Sequence, residues 1–205
     1  TNPLTDSTCT LTIRYRGFII DILDEAALPT SYAAVNTASY DFVHASGPQP
    51  TLTASNTVDV RNLELQKSAS PGTVTPGTVV NYTLAFQISE YIGIQALSVT
   101  DIIPDGIDYN LGSAVVTVPG LGSAPITGAN ESITYGDDTG TLSFNVTGAL
   151  PGPYASAGTV TITYSGTVRQ IYRPGGSLTG YVSANDRMSN TATANFTTIG
   201  GQTFS

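Results

Sequence analysis

The chain's single lysine, Lys67, stands in "LELQKSAS", two positions after Leu65 and four after Leu63. Every second residue of a strand faces the same way, so the one ammonium points with the leucines toward an apolar face, where an unpaired charge is costly. Two further polar residues share this inward parity. Asp101 follows Leu97 and Val99 and precedes Ile103 in "LSVTDIIPDG", and Asn190 lies between Met188 and Ala192, with Ala194 and Phe196 beyond. Desolvation lowers the pKa of a lysine and raises that of an aspartate, which leaves a neutral amine, and a neutral amine is a nucleophile. Set against the Asn190 carboxamide, with a protonated Asp101 donating to the carbonyl oxygen, that amine would attack the carbon and expel ammonia. The product is a Lys67–Asn190 isopeptide bond, with Asp101 as its only catalytic group. Each residue also has a plain structural reading: Lys67 snorkelling to water along a sheet edge, Asp101 opening the "DIIPDG" turn, Asn190 capping a loop. The joint parity and the lysine count of one favour the bond, because buried charges require partners.

The elements that must hold these residues are strands. "VVNYTLAFQI", "ALSVTDI", "SAVVTV", "TLSFNV", "TVTITYSGTV" and "NTATANF" alternate or cluster β-formers between Gly, Pro and Asn. "TLTIRYRGFII" near the start reads the same way, and only "DILDEAALP" (21–29) resembles a helix, which Pro29 would stop. Strands at this spacing predict an all-β, immunoglobulin-like β-sandwich. An internal repeat sets the organisation. "TLTIRYRG" (10–17) matches "TVTITYSG" (159–166), and each is followed by an Asn-Thr-Ala strand, "NTASYDF" (36–42) or "NTATANF" (190–196). Residues 1–57 therefore read as the final strands of one module and 58–205 as a complete module, joined by a turn and connecting strand in "HASGPQPTLTAS" (44–55). A half-sandwich leaves Leu11, Ile13 and Tyr15 facing water, so a neighbouring subunit or upstream sequence is expected to complete it.

"LELQKSASPGTVTPGTVVNYTLAF", "VTDIIPDGIDY" and "DRMSNTATANF" together resemble the tandem repeat family of unknown function found in large bacterial and archaeal surface proteins. The likeness spans about residues 60–200. It implies an immunoglobulin-like fold, an extracellular or cell-surface location, and a Lys67, Asp101 and Asn190 trio similar to that of pilin and adhesin domains with internal isopeptide bonds. The half-module departs from the pattern: it has its asparagine, Asn36, and the chain has no second lysine to pair with it.

Composition bounds the alternatives. With 40% hydrophobic and 11% charged residues and a net charge of −8, the chain lacks the basic footprint of a nucleic-acid binder. One cysteine, Cys9, excludes an internal disulfide framework and has no nearby histidine to activate it, and no apolar run is long enough to span a bilayer. The first residue, Thr1, suits a processed export product or an excerpt of a longer polypeptide. No cofactor loop or metal cluster can be assembled. His44 has no ligand-spaced companion, and Asp105 with Asp108, or Asp137 with Asp138, read as solvated turns rather than Ca²⁺ loops. "GLGSAPITGAN" reads as a hairpin connection. Sequons at Asn81, Asn130, Asn145 and Asn195 are candidates for covalent glycans, and strand parity turns Asn81, Asn145 and Asn195 outward. The expected function is structural rather than enzymatic: a subunit of an extracellular fibre, stalk or surface layer whose partners are identical subunits head to tail. An adhesin or carbohydrate-binding module is the alternative, disfavoured by the absence of tryptophan despite 11 tyrosines.

Overall fold

A computed structural model describes residues 31–41, 43–44, 47–48, 50–61, 63–90, 92–155 and 157–205, together with Ile13, Arg14 and Arg16. The helix expected at 21–29 lies outside the described residues. So does most of "TLTIRYRG", of which Ile13, Arg14 and Arg16 lie in no strand and Ile13 is 73% exposed.

From Leu63 onward the chain is an antiparallel β-sandwich. One sheet contains β5 (Leu63–Ser70), β6 (Val79–Ile88), β9 (Val115–Val118), β10 (Gly122–Pro125) and β13 (Thr159–Val168) in the order β10-β9-β13-β6-β5, with β8 (Ile107–Tyr109) also pairing with β13. The facing sheet contains β7 (Ile94–Pro104), β11 (Glu131–Tyr135), β12 (Thr139–Asn145), β14 (Thr191–Thr198) and β15 (Thr203–Phe204) in the order β11-β12-β7-β14-β15. A single helical turn, α1 (Val146–Ala149), is capped by the Asn145 side chain, which accepts from the Gly148 amide at 3.0 Å.

Alternation builds the core. β6 sends Val80, Tyr82, Leu84, Phe86 and Ile88 inward, and β13 sends Val160, Ile162, Tyr164 and Val168 to meet them. Leu97, Val99 and Ile103 of β7, with Leu142 and Phe144 of β12, close the other side. Each fully buried large side chain contributes about 1.5–3 kcal/mol. Two strands place a charged residue at an inward position: β5 reads Leu63, Leu65, Lys67, and β7 carries Asp101 between Val99 and Ile103.

Ahead of the sandwich, β1 (Ser31–Tyr40) pairs antiparallel with β4 (Leu52–Arg61) in a two-stranded ladder, and β2 (Val43–His44) pairs with β3 (Gly47–Pro48) in the turn between them. β4 runs through residues 57 and 58, where the repeat spacing puts the module boundary. In the register of the ladder Asn36, Ala38 and Tyr40 lie opposite Asn56, Ala54 and Leu52, so these six side chains share one face. All six are exposed, Tyr40 by 57% and Leu52 by 60%.

Candidate functional site

Lys67 is half-buried on β5, the edge strand of its sheet, and its ammonium lies near the aromatic rings of Tyr82 on β6 and Tyr164 on β13. Its Nζ lies 5.5 Å from the ring centroid of Tyr82 and 5.9 Å from that of Tyr164. It ends between the two sheets, donating to both carboxylate oxygens of Asp101 at 2.6 Å. The Lys67 side chain is 16% exposed and that of Asp101 is 0% exposed. Burial pulls the Lys67 pKa below its usual value, against the opposing pull of the Asp101 charge and its hydrogen bond.

Two further groups complete the cluster. Tyr164 donates its hydroxyl proton to Asp101 Oδ2 at 2.6 Å, and the Asn190 Nδ2 amide donates to the Tyr164 oxygen at 3.2 Å. A phenol has one proton to give, and Tyr164 gives it to Asp101, which fixes the Asn190 amide as the donor in the second bond. Asn190 Oδ1 is buried and has no hydrogen-bond partner. An acceptor left in that state costs roughly 1–3 kcal/mol. Burial first, then the charge and hydrogen bond of Asp101, push the Tyr164 pKa far up; burial also raises that of Tyr82, while the Asn190 amide beside it acts in the opposite sense.

The strands account for these positions. Lys67 pairs with Leu84 in the β5–β6 register, and Ala192 pairs with Asp101 in the β14–β7 register, which sets Asn190, just before β14, next to the end of β7. Lys67 comes from one sheet and Asp101 and Asn190 from the other. An open cleft of about 580 Å³, lined by Leu63, Leu65, Lys67, Asn190, Ala194 and Phe196 among others, runs along this edge of the sandwich. An amine with a lowered pKa, a carboxylate that takes its proton, and a carboxamide reached through the same hydrogen-bond chain are the ingredients of amide exchange with loss of ammonia. Sequence reasoning missed Tyr164 and Tyr82. The signal for both was their inward parity in "TVTITYSG" and "VVNYTLAF", where a tyrosine hydroxyl carried into a core needs a partner.

The segment that delivers Asn190, residues 169–190, is tied down by a second polar cluster. Arg173, 8% exposed, donates to Asp105 Oδ1 at 3.1 Å, to Asp108 Oδ1 at 2.8 Å and to the carbonyls of Asp105 and Ile107 at 2.7 Å, with its guanidinium 4.0 Å from the Tyr135 ring centroid. Asp105 in turn accepts the Arg173 amide at 2.8 Å. Asp105 therefore corrects the expectation of a solvated turn: it is buried because an arginine from a distant loop neutralises it. Arg169 also pairs with Asp108, at 2.8 Å. Met188 packs so tightly over Gly106 that a Cβ there would come within 2.2 Å of its methyl carbon. Tyr172, whose hydroxyl donates to Asp186 at 2.9 Å, has its pKa pushed up to about 12 by burial and that carboxylate.

These tyrosines imply a direction at alkaline pH. Below about pH 10 they are neutral in both folded and unfolded chains, and their stabilising effect is fully present. As pH rises from 10 toward 12 the unfolded chain ionises first and holds fewer protons than the native one, so stability falls. Lys67 acts in the opposite sense only where its amine is free. The denaturant midpoint is expected to be clearly lower at about pH 11.5 than at about pH 9; an unchanged midpoint would contradict the tyrosine environments described.

Asn81, Asn145 and Asn195 are exposed, as parity requires, and Asn130 is half-buried. Asp137 and Asp138 are exposed, and Asp138 accepts from the amide and hydroxyl of Ser177. Among the described residues no three His, Cys, Asp or Glu side chains gather in a way that could hold a metal ion, and no helix is long and apolar enough to cross a membrane. Cys9 lies outside the described residues.

Fold and site together define an all-β, immunoglobulin-like sandwich in which a half-buried lysine pairs with a buried aspartate between the sheets. No family model matches the chain, and no curated protein matches it. Solved structures to which this chain is similar include the pilus backbone of Streptococcus pneumoniae (21% identity, TM-score 0.44, covering 66% of this chain and 31% of that one). Others are the major pilin SpaD of Corynebacterium diphtheriae (10%, 0.45, 71% and 33%) and the collagen-binding domain of the Erysipelothrix rhusiopathiae surface protein RspB (18%, 0.42, 83% and 52%). The chain spans between about a third and about half of the length of these proteins.

Proposed function

We propose that this chain is a structural subunit of an extracellular or cell-surface fibre, stalk or surface layer, built from β-sandwich modules joined end to end and locked internally by a Lys67–Asn190 isopeptide bond. The observation that carries the reading is the half-buried lysine held against a buried aspartate. Its amine is held by Asp101 in an apolar setting that favours loss of its proton, in the same cleft as a carboxamide whose oxygen has no partner. In the reaction, Nζ bonds to Cγ of Asn190 and the Cγ–Nδ2 bond breaks. Starting from ammonium and carboxylate, two protons leave Nζ: one ends on the departing ammonia and one on Asp101.

The benefit of such a bond is mechanical. Force entering at β5 and leaving after β14 would pass through the bond, and the residues between Lys67 and Asn190 would carry none of it. This is a self-reaction, not turnover, and it assigns no cofactor.

The end-to-end joint rests on the other part of the chain. Among the described residues the β1–β4 ladder is two strands wide, and a two-stranded ribbon is marginal alone in water. Completion of residues 1–57 by a neighbouring copy would cover Tyr40 and Leu52, and a head-to-tail contact of that kind propagates into an open filament. With its one lysine committed to Asn190, the joint would be non-covalent and Asn36 would stay an ordinary asparagine. Deleting residues 1–57 is expected to leave a folded monomer that electron microscopy finds unassembled. Filaments formed by the truncated chain would place the joint elsewhere.

A further inference from the structure

The groups that react are joined by an unbroken line of hydrogen bonds. Lys67 Nζ donates to Asp101 at 2.6 Å, Tyr164 donates to Asp101 Oδ2 at 2.6 Å, and Asn190 Nδ2 donates to the Tyr164 oxygen at 3.2 Å. Nucleophile and leaving nitrogen are the two ends of this line, and the hydroxyl of Tyr164 is the only link between Asp101 and Asn190 within it. We propose that Tyr164 is a catalytic residue of the isopeptide reaction, relaying a proton from the attacking Lys67 amine, by way of Asp101, to the departing nitrogen of Asn190. This rests on the Lys67–Asn190 reading above.

The chemistry requires such a group. Attack needs a neutral amine, and Asp101, touching Nζ through both oxygens, is placed to take the first of the two Nζ protons beforehand. The amide nitrogen of Asn190 is a donor only while its lone pair is delocalised. Once its carbon becomes tetrahedral, the nitrogen gains a basic lone pair, and rotation about Cγ–Nδ2, no longer held by amide resonance, turns that lone pair toward the Tyr164 oxygen. The hydroxyl proton then passes to Nδ2, the proton on Asp101 replaces it, the second Nζ proton, made acidic by the attack, moves to Asp101, Cγ–Nδ2 breaks, and ammonia leaves. Tyr164 ends as it began. Asp101 makes no hydrogen bond of its own to Asn190, so a direct transfer would require the site to rearrange. Burial and the Asp101 charge keep the phenol protonated, which suits transfer in concert rather than through a free phenolate. The ring is also held rigidly: it stacks on Tyr82 at 4.9 Å with 16° between planes and meets Tyr109 edge-on at 5.9 Å and Phe144 at 5.6 Å.

Tyr164→Phe removes one oxygen and keeps the ring contacts. With the full chain made by cell-free synthesis and sampled over time, intact mass reports the loss of about 17 Da as the bond forms. The variant is expected to lose this mass about a hundredfold or more slowly than the parent, the usual contribution of a positioned acid–base group. Loss at the parent rate would overturn the relay while leaving the isopeptide reading intact. A parent that never loses the mass would instead sink the isopeptide reading, and the relay with it. Should the variant fail to fold, the parent serves: bond formation is expected to be slower in D₂O than in H₂O, and equal rates would overturn the relay.

Discussion

Asn190→Ala is expected to destabilise the chain by about 4–5 kcal/mol, the entropy released when a closed loop of more than a hundred residues is opened in the unfolded state. The substitution removes the electrophile and leaves the Lys67–Asp101 pair in place, so the change reads the bond rather than a stranded buried charge. Lys67→Ala should melt at least as low, because it lacks the bond and, unlike Asn190→Ala, also leaves the fully buried Asp101 without a cation. Under tension the contrast is larger. Pulled from its ends, the parent is expected to release no length from residues between 67 and 190, whereas Asn190→Ala releases all of it. Equal melting temperatures and equal extensions for parent and variant would remove the stabilising role.

A comparable loss is expected from Arg173→Met. The guanidinium serves two carboxylates, two carbonyls and the face of Tyr135, and without it Asp105, 2% exposed, is left as an uncompensated buried charge. Breaking such a pair by removing one partner costs about 3–5 kcal/mol, a drop in melting temperature on the order of 10 °C for a domain of this size. Arg173→Met combined with Asp105→Leu should recover part of that loss, since replacing both members of a buried pair by apolar groups is often tolerated. A single variant that melts with the parent would show the cluster to be solvated.

The parts of the molecule legible in the sequence are those where period-two alternation runs long. "VVNYTLAFQI" and "TVTITYSGTV" match β6 and β13 residue for residue, whereas "GLGSAPITGAN", read as a hairpin connection, itself holds strand β10. β8, β11 and β15 escaped because each spans only two to five residues, too short for a pattern to rise above turn residues. The convergence of Lys67, Asp101 and Asn190 was legible for the same reason that the core was: a polar residue on an apolar stripe is conspicuous. The Tyr164 link was not, because parity says which way a side chain points but not which strand of the facing sheet it meets. Arg173 was further out of reach. It lies in an irregular segment with no periodicity, and its partners are more than sixty residues away in sequence.

The most direct test is the mass of the purified chain followed by tandem mass spectrometry of its digest. An intact mass about 17 Da below that of the sequence, after removal of any glycans, and a branched peptide joining the Lys67 and Asn190 segments, are the predicted results. The full sequence mass, with Lys67 and Asn190 recovered in separate linear peptides, would contradict the account.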